Sequence, residues 1–287
     1  MSKGIINRLK SVIHSLRKEE ITNINVVSLR QNQLLQGRCA LITGGTSGIG
    51  FSIAKSFIDA GATVVITGRD KEKIESSVKK LPDGRVIGFV WDITKVNEFE
   101  EKFLCLQKIL KNKSFSQIDI LVNNAGVNCK RMPYANEEEF DMVINTNLKG
   151  AFFLSQLVGK YFVENKIKGN ILNIASASSI RPADSAYTVS KWGIRGLTLG
   201  LAKALGPKGI TVNGIAPGPT ATPMMIKEGQ TNLTLTRIPL GRYIMPDEIS
   251  SMSVILVSEL GRSIMGDIVY MTGGAGILTY DDVRYDF

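Results

Sequence analysis

The run Cys39-Ala40-Leu41-Ile42-Thr43-Gly44-Gly45-Thr46-Ser47-Gly48-Ile49-Gly50 decides the fold. An apolar, β-branched stretch ends in glycines, and residues 49–60 then follow helical spacing up to Gly61. Strand, glycine turn and helix in that order open a sheet whose ligands bind outside the carboxyl ends of its strands. Gly44 permits the tight turn, Gly48 lets backbone approach a pyrophosphate, and Gly50 allows close packing of helix on strand. The helix N-terminus then faces the phosphates.

Working outward, apolar strands at 63–67, 86–91, 118–122, 169–175, 210–215 and 268–271 alternate with helical stretches. The helices are expected at 71–81, 96–111, 137–165, 185–205 and 250–258. Continuous apolar strands separated by helices imply a parallel sheet covered on both faces. The expected architecture is a single doubly wound Rossmann-type α/β domain of about seven strands, a size that 287 residues accommodate.

Residues 37–287 form this body, and 1–36 read as an appendage. Ile5, Ile6, Leu9, Val12, Ile13 and Leu16 recur at helical spacing among Lys3, Arg8, Lys10, Arg17 and Lys18. That is a short basic amphipathic helix, suited to packing on the body, to a neighbouring subunit, to a membrane surface or to organellar targeting. Packing is favoured over membrane association. The segment 31–37 reads as a polar linker.

The formal net charge of +9 suits solubility or an anionic ligand, such as a phosphorylated cofactor or an acidic carrier protein. No basic-aromatic nucleic-acid motif accompanies it, so no nucleic-acid partner is expected. No apolar run approaches the roughly 20 residues needed to span a bilayer. Cys39, Cys105 and Cys129 form no CxxC pair, which fits a reducing, cytoplasmic compartment. Cys129 reads as a passive lining residue near the site. The single histidine, His14, lies in the extension, which removes Ser-His-Asp hydrolysis and histidine-rich metal chemistry from the body.

Tyr187 and Lys191 stand one helical turn apart in Ser185-Ala186-Tyr187-Thr188-Val189-Ser190-Lys191, sharing a helix face. A phenol titrates near 10 when unperturbed, and a nearby cation favours phenolate and lowers that value. A tyrosine so tuned can exchange a proton with a substrate oxygen near neutral pH.

Five motifs follow in order: the glycine run, Asn123-Asn124-Ala125-Gly126, Asn145-Thr146-Asn147-Leu148-Lys149-Gly150, Asn173-Ile174-Ala175-Ser176, and Tyr187 with Lys191 before Pro217-Gly218. In this order and spacing the chain resembles the short-chain dehydrogenase/reductase family over about residues 38–275. The resemblance implies an oxidoreductase with a catalytic tetrad of Asn147, Ser176, Tyr187 and Lys191. Tyr187 would be the general acid in reduction and the base in oxidation. Lys191 would lower its pKa and bind the nicotinamide ribose, Ser176 would hold the carbonyl oxygen, and Asn147 would kink its helix and hold a relay water. No metal is implied, because phenol and hydroxyl polarise the carbonyl. Ser176 precedes Tyr187 by 11 residues rather than the family's common 13, which leaves Ser178 and Ser179 as substitutes, although Ser176 holds the position after the fifth strand.

The same resemblance implies cofactor contacts from Gly44, Thr46, Ser47, Gly48, Ile49 and Gly50, from Asn124, Ala125 and Gly126, and from Tyr187 and Lys191. Asp92 and Ile93 match an adenine-contacting pair. Pro217, Gly218, Thr220 and Thr222 match the segment that holds the carboxamide. Where NAD-preferring relatives often carry an acidic residue after the second strand, this chain has Gly68 and then Arg69, whose planar guanidinium suits a 2′-phosphate. NADP(H) is therefore expected over NAD(H). Residues 224–243 correspond to a substrate lid, and the tail beyond the last strand packs on the surface or reaches a neighbouring subunit. The stretch 123–152 and Ile238-Pro239-Leu240-Gly241-Arg242 resemble the 3-oxoacyl-carrier-protein reductase branch, so a 3-oxoacyl thioester leads as substrate. A sugar, polyol or steroid is the alternative small-molecule substrate. A homodimer or homotetramer is expected from the family. A silent NADPH-binding sensor or scaffold is the rival of another class.

Overall fold

The computed structural model describes residues 33–82, 84–226 and 232–276. The expected basic helix, His14, the residues Lys227 and Glu228 of the expected lid, and the tail Tyr280–Phe287 lie outside the described residues.

Seven parallel strands form one sheet in the order β3-β2-β1-β4-β5-β6-β7. They are β1 (Cys39–Thr43), β2 (Thr63–Gly68), β3 (Val86–Val90), β4 (Ile120–Asn123), β5 (Asn170–Ile174), β6 (Thr211–Pro217) and β7 (Ile268–Met271). The helices are α1 (Gly48–Asp59), α2 (Lys71–Val78), α3 (Phe99–Asn112), α4 (Glu137–Ile144), α5 (Gly150–Glu164), α6 (Ala186–Leu205) and α7 (Pro246–Val257). Strand order reverses between β1 and β4, so the crevice at their carboxyl ends is the switch point where such sheets bind ligands.

Both faces of the sheet are covered, which is why its strands read as unbroken apolar runs. Along β1, Ala40 and Ile42 join a core with Ile53, Phe57 and Leu256. Cys39 and Leu41 point the other way, into a core with Phe103, Leu106, Leu154 and Phe162. The first core seats α1 against α7, locked by Ser52 Oγ donating to Asp247 at 2.6 Å and by close Ser56–Ser250 hydroxyls at 2.8 Å. At the sheet's opposite end, Arg38 pairs with Asp119 and donates to Asn170 Oδ1 at 2.6 Å, tying together the starts of β1, β4 and β5. Burial pushes the Asp119 carboxyl above its usual range although Arg38 opposes it.

Among the differences from the expected boundaries, three stand out. Leu35 is fully buried in the first core and its N–H donates to the Ala60 carbonyl at 2.9 Å, so the body begins before residue 37 and 31–37 is not simply a polar linker. The single helix expected over 137–165 is α4 and α5 joined by a π-turn at Asn145–Lys149. Helix α7 starts at Pro246 rather than 250, with proline at its first turn.

Candidate active site

The glycine loop is held by what lies beneath it. Gly44 has φ of 63°, and a Cβ there would stand 2.9 Å from Ala125 Cα. Gly48 has φ of 54°. A Cβ on Gly50 would fall 2.3 Å from Asn124 Nδ2 and 2.4 Å from the Gly44 carbonyl, so only glycine lets α1 sit this close to β4. Asn124 clamps the loop, its Nδ2 donating to the carbonyls of Thr43 and Gly44 at 3.0 Å each. Thr43 Oγ1 in turn accepts the N–H groups of Asn124 and Ala125. Ser47 is the extended N-cap of α1, yet its hydroxyl makes no capping bond and the first turn holds no acidic side chain. The loop is thus a backbone cradle suited to a phosphate.

Helix α6 opens on Ser185, whose hydroxyl accepts the Thr188 N–H. Tyr187 follows in that first turn and Lys191 one turn further on. Lys191 is buried, its Nζ donating to the Ile174 carbonyl at 2.7 Å and lying 5.6 Å from the centre of the Tyr187 ring. Full enclosure pulls the ammonium down to about 8. Burial pushes the Tyr187 phenol above its ordinary value, opposed by a hydrogen bond from the Ser176 hydroxyl. The expected lowering of the phenol by Lys191 is therefore not seen. Burial sets the direction for both groups, raising the phenol and disfavouring the lysine's charge.

Ser176 at the end of β5 caps the 3₁₀ turn Ala177–Ile180, accepting the Ser178 N–H at 3.1 Å. Of the two substitutes, Ser179 is turned away, its buried hydroxyl donating to the Ser176 carbonyl at 2.7 Å, while Ser178 lines the cavity. Asn147 lies in the π-turn, and its side chain is fully engaged. It accepts the Val127 N–H at 2.8 Å, and donates to the Val127 carbonyl at 2.9 Å and to Ser190 Oγ at 3.2 Å. Ser190 then donates to the Tyr187 carbonyl at 2.7 Å. Ser190, unremarked in the sequence, so links the β4 loop to the turn carrying Tyr187. Its spacing of three from Tyr187 was the available signal.

A cavity of about 420 Å³ joins these parts. It is lined by Gly44, Thr46, Ser47, Gly48 and Ile49 at one end, by Asn124, Ala125 and Gly126 beside them, and by Ser176, Tyr187 and Lys191 at the centre. Pro217, Gly218, Thr220 and Thr222 close the far side with Met224 and Met225. Cys129 also lines it. Five expected residues stand outside the lining. Gly50 lies behind the loop as packing. Asn147 sits behind Gly126, which lines the cavity, and Ile93 packs against Gly150, its carbonyl 2.5 Å from where a Cβ there would stand. Arg69 is exposed past β2 and Asp92 is half-buried past β3, both outside the cavity lining. Burial works against Asp92 ionising, but Thr94, through its N–H and hydroxyl, with Arg69 and Lys95 nearby, outweighs it and holds the carboxyl below its usual range.

Residues 38–233 match the short chain dehydrogenase family. The chain is 36% identical over 248 residues to 3-oxoacyl-[acyl-carrier-protein] reductase FabG of Thermotoga maritima, covering 84% of this chain and 98% of that protein. It is 38% identical over 249 residues to the (2S)-[(R)-hydroxy(phenyl)methyl]succinyl-CoA dehydrogenase subunit BbsD of Thauera aromatica, covering 85% and 98%. It is 33% identical over 251 residues to a 3alpha-hydroxysteroid dehydrogenase of Mediterraneibacter gnavus, covering 84% and 98%. Among solved structures, the 3-ketoacyl-(acyl-carrier-protein) reductase of Brucella melitensis complexed with NADH superposes with a TM-score of 0.75 at 31% identity, covering 85% of this chain and all of that one. No helix among the described residues is long and apolar enough to cross a membrane. With a seven-stranded parallel sheet and one cavity spanning its switch point, the chain belongs to the short-chain dehydrogenase/reductase family and is an oxidoreductase of its 3-oxoacyl-carrier-protein reductase-like branch.

Proposed function

We propose that this protein interconverts a carbonyl and a secondary alcohol with NADP(H), using Tyr187 as general acid and base. The observation that carries this is one cavity shared by the glycine cradle and by Ser176, Tyr187 and Lys191. The cradle fits a dinucleotide, since at Gly44 a side chain would strike the loop that shapes it. A nicotinamide dinucleotide bound there would supply or accept the hydride. Tyr187, kept protonated by its burial, donates to the carbonyl oxygen in reduction, and Ser176 holds that oxygen by hydrogen bond. Lys191 steadies the phenolate left behind, because a cation nearby gains as negative charge forms. Asn147, through Val127 and Ser190, positions the loop and the helix turn.

NADP(H) over NAD(H) is supported by Arg69 following β2 with glycine at the preceding position. A 3-oxoacyl thioester leads among substrates, with an acyl-carrier protein as its acidic bearer. A sugar, polyol or steroid is the second reading, favoured by the identity of the steroid dehydrogenase relative. A sensor without turnover would not need a half-buried Tyr187 beside a buried Lys191 at a cavity. Self-association is supported by exposed apolar side chains on α4 and α5, namely Phe140, Met142, Phe152 and Phe153.

The test is titration with NADPH and NADH followed by nicotinamide fluorescence, then turnover on a 3-oxoacyl thioester beside a panel of keto-sugars and oxosteroids. Tighter NADPH binding with reduction of the thioester is expected. Tighter NADH binding would overturn the assignment to Arg69, and turnover confined to sugars or steroids would overturn the substrate.

A further inference from the structure

A second hollow of about 300 Å³ opens beside the active-site cavity. Arg131, Arg181 and Arg237 line both spaces. Neither lining includes an aspartate or glutamate. Three arginines bordering a recess whose described lining holds no carboxylate make it strongly positive, with Asp184 at the rim beside Arg131 as the one described counterion.

The three arginines come from separate parts of the chain. Arg131 follows β4, Arg181 follows the 3₁₀ turn after β5, and Arg237 lies in the segment after β6. Arg131 is partly answered by Asp184 at 3.2 Å on the exposed rim. Arg181 and Arg237 pair with no carboxylate among the described residues. Arg181 is also built in. Its carbonyl accepts the Trp192 indole N–H at 2.8 Å, and its guanidinium lies over Gly276, where a Cβ would fall 2.4 Å from Nε. The recess lies on the side of Pro219 and Gly274, away from the glycine cradle, so it is not the seat of the dinucleotide's phosphates.

We propose that this recess is an anion subsite, and that the preferred substrate carries a carboxylate or phosphate remote from its reacting carbonyl, held by Arg181 and Arg237 with Arg131 at the rim. The proposal rests on the hydride-transfer reading above and narrows its substrate class. Planar guanidiniums suit both oxyanions, because each offers paired N–H donors.

The experiment uses the full chain with NADPH. A six-carbon 3-oxo thioester of N-acetylcysteamine with a terminal carboxylate is compared with its methyl ester, and the coenzyme A thioester of that methyl ester supplies phosphate instead. We expect kcat/KM for an anionic form to exceed that of the uncharged ester by about tenfold or more, and the ratio to shrink at high salt. Arg181→Met and Arg237→Met should each cut that ratio by about tenfold, the effect of losing one charge-assisted hydrogen bond. Preference for the carboxylate assigns the anion to the acyl chain, and preference for the coenzyme A form assigns it to the carrier's phosphate. Calorimetric titration with glutarate gives a readout independent of turnover. Glutarate binding that Arg181→Met abolishes, with no compound reduced, would keep the subsite while the hydride-transfer reading fails. Reduction at equal kcat/KM for acid, ester and coenzyme A form would overturn the subsite and leave that reading standing. Glutarate binding gained only on Asp281→Asn, Asp282→Asn and Asp286→Asn together would give the recess to the chain's own tail and overturn the proposal.

Discussion

Lys191 Nζ lies 5.6 Å from the centre of the Tyr187 ring and donates to the Ile174 carbonyl rather than to the phenol oxygen. The pair is thus close without being a hydrogen-bonded couple. Enclosing an ammonium beside an apolar ring and one carbonyl costs stability, which a functional site tolerates for the sake of its chemistry.

That cost has a sign that pH reveals. The unfolded lysine titrates near 10.5 and the folded one at about 8, so between those values the unfolded chain binds more protons. Stability from this group therefore rises with pH over that window, and the penalty is fully present below it. Lys191→Met should abolish most turnover yet raise unfolding stability at pH 7, by on the order of 3 kcal/mol at most. Calorimetric melting of both proteins at pH 7 and pH 10 checks this. The stabilisation should be larger at pH 7, and an equal or reversed difference contradicts it.

Gly50→Ala places a methyl 2.3 Å from Asn124 Nδ2 and 2.4 Å from the Gly44 carbonyl, both of them parts of the loop clamp. The loop must shift, at a cost of about 1–3 kcal/mol. Dinucleotide affinity should fall by about tenfold or more in a fluorescence titration, with the melting temperature lowered alongside. Unchanged affinity would show that the clamp does not shape the cradle.

Arg69→Ala should weaken NADPH by about tenfold and leave NADH affinity within about twofold, since only the first carries the extra phosphate. Parallel losses for both cofactors would mean that Arg69 acts through Asp92, whose carboxylate it helps keep ionised, rather than on the ribose.

Exposed Phe152 and Phe153 sit on α5, and exposed Phe140 sits on α4. If these faces join subunits, Phe152→Glu with Phe153→Glu should lower the mass measured by light scattering to that of a smaller assembly. An unchanged mass would place the interface elsewhere.

Much of the fold was legible because strands buried on both faces cannot hide as alternating patterns. Each expected strand is present, and β7 falls at Ile268–Met271 as expected. Strand β6 runs on to Pro217 because Ala216 and Pro217 pair with Tyr270 and Met271, a distant contact that local spacing does not carry. The π-turn at Asn145–Lys149 was likewise invisible to helical periodicity, since it adds one residue to a turn without changing the apolar face. The cavity's centre was readable as motifs. The state of Tyr187 was not, because burial is a property of the folded whole. Arg131, Arg181 and Arg237 lie about fifty residues apart in the sequence and meet only through the sheet topology.

The proposed chemistry turns on one phenol. Purified wild type and Tyr187→Phe should be compared in NADPH-dependent reduction of a 3-oxoacyl thioester, with cofactor affinity measured on both. Loss of turnover by about 10² to 10⁴ with affinity retained is the predicted result. Turnover within a few-fold of wild type would show that another group handles the proton, and would contradict the assignment of Tyr187.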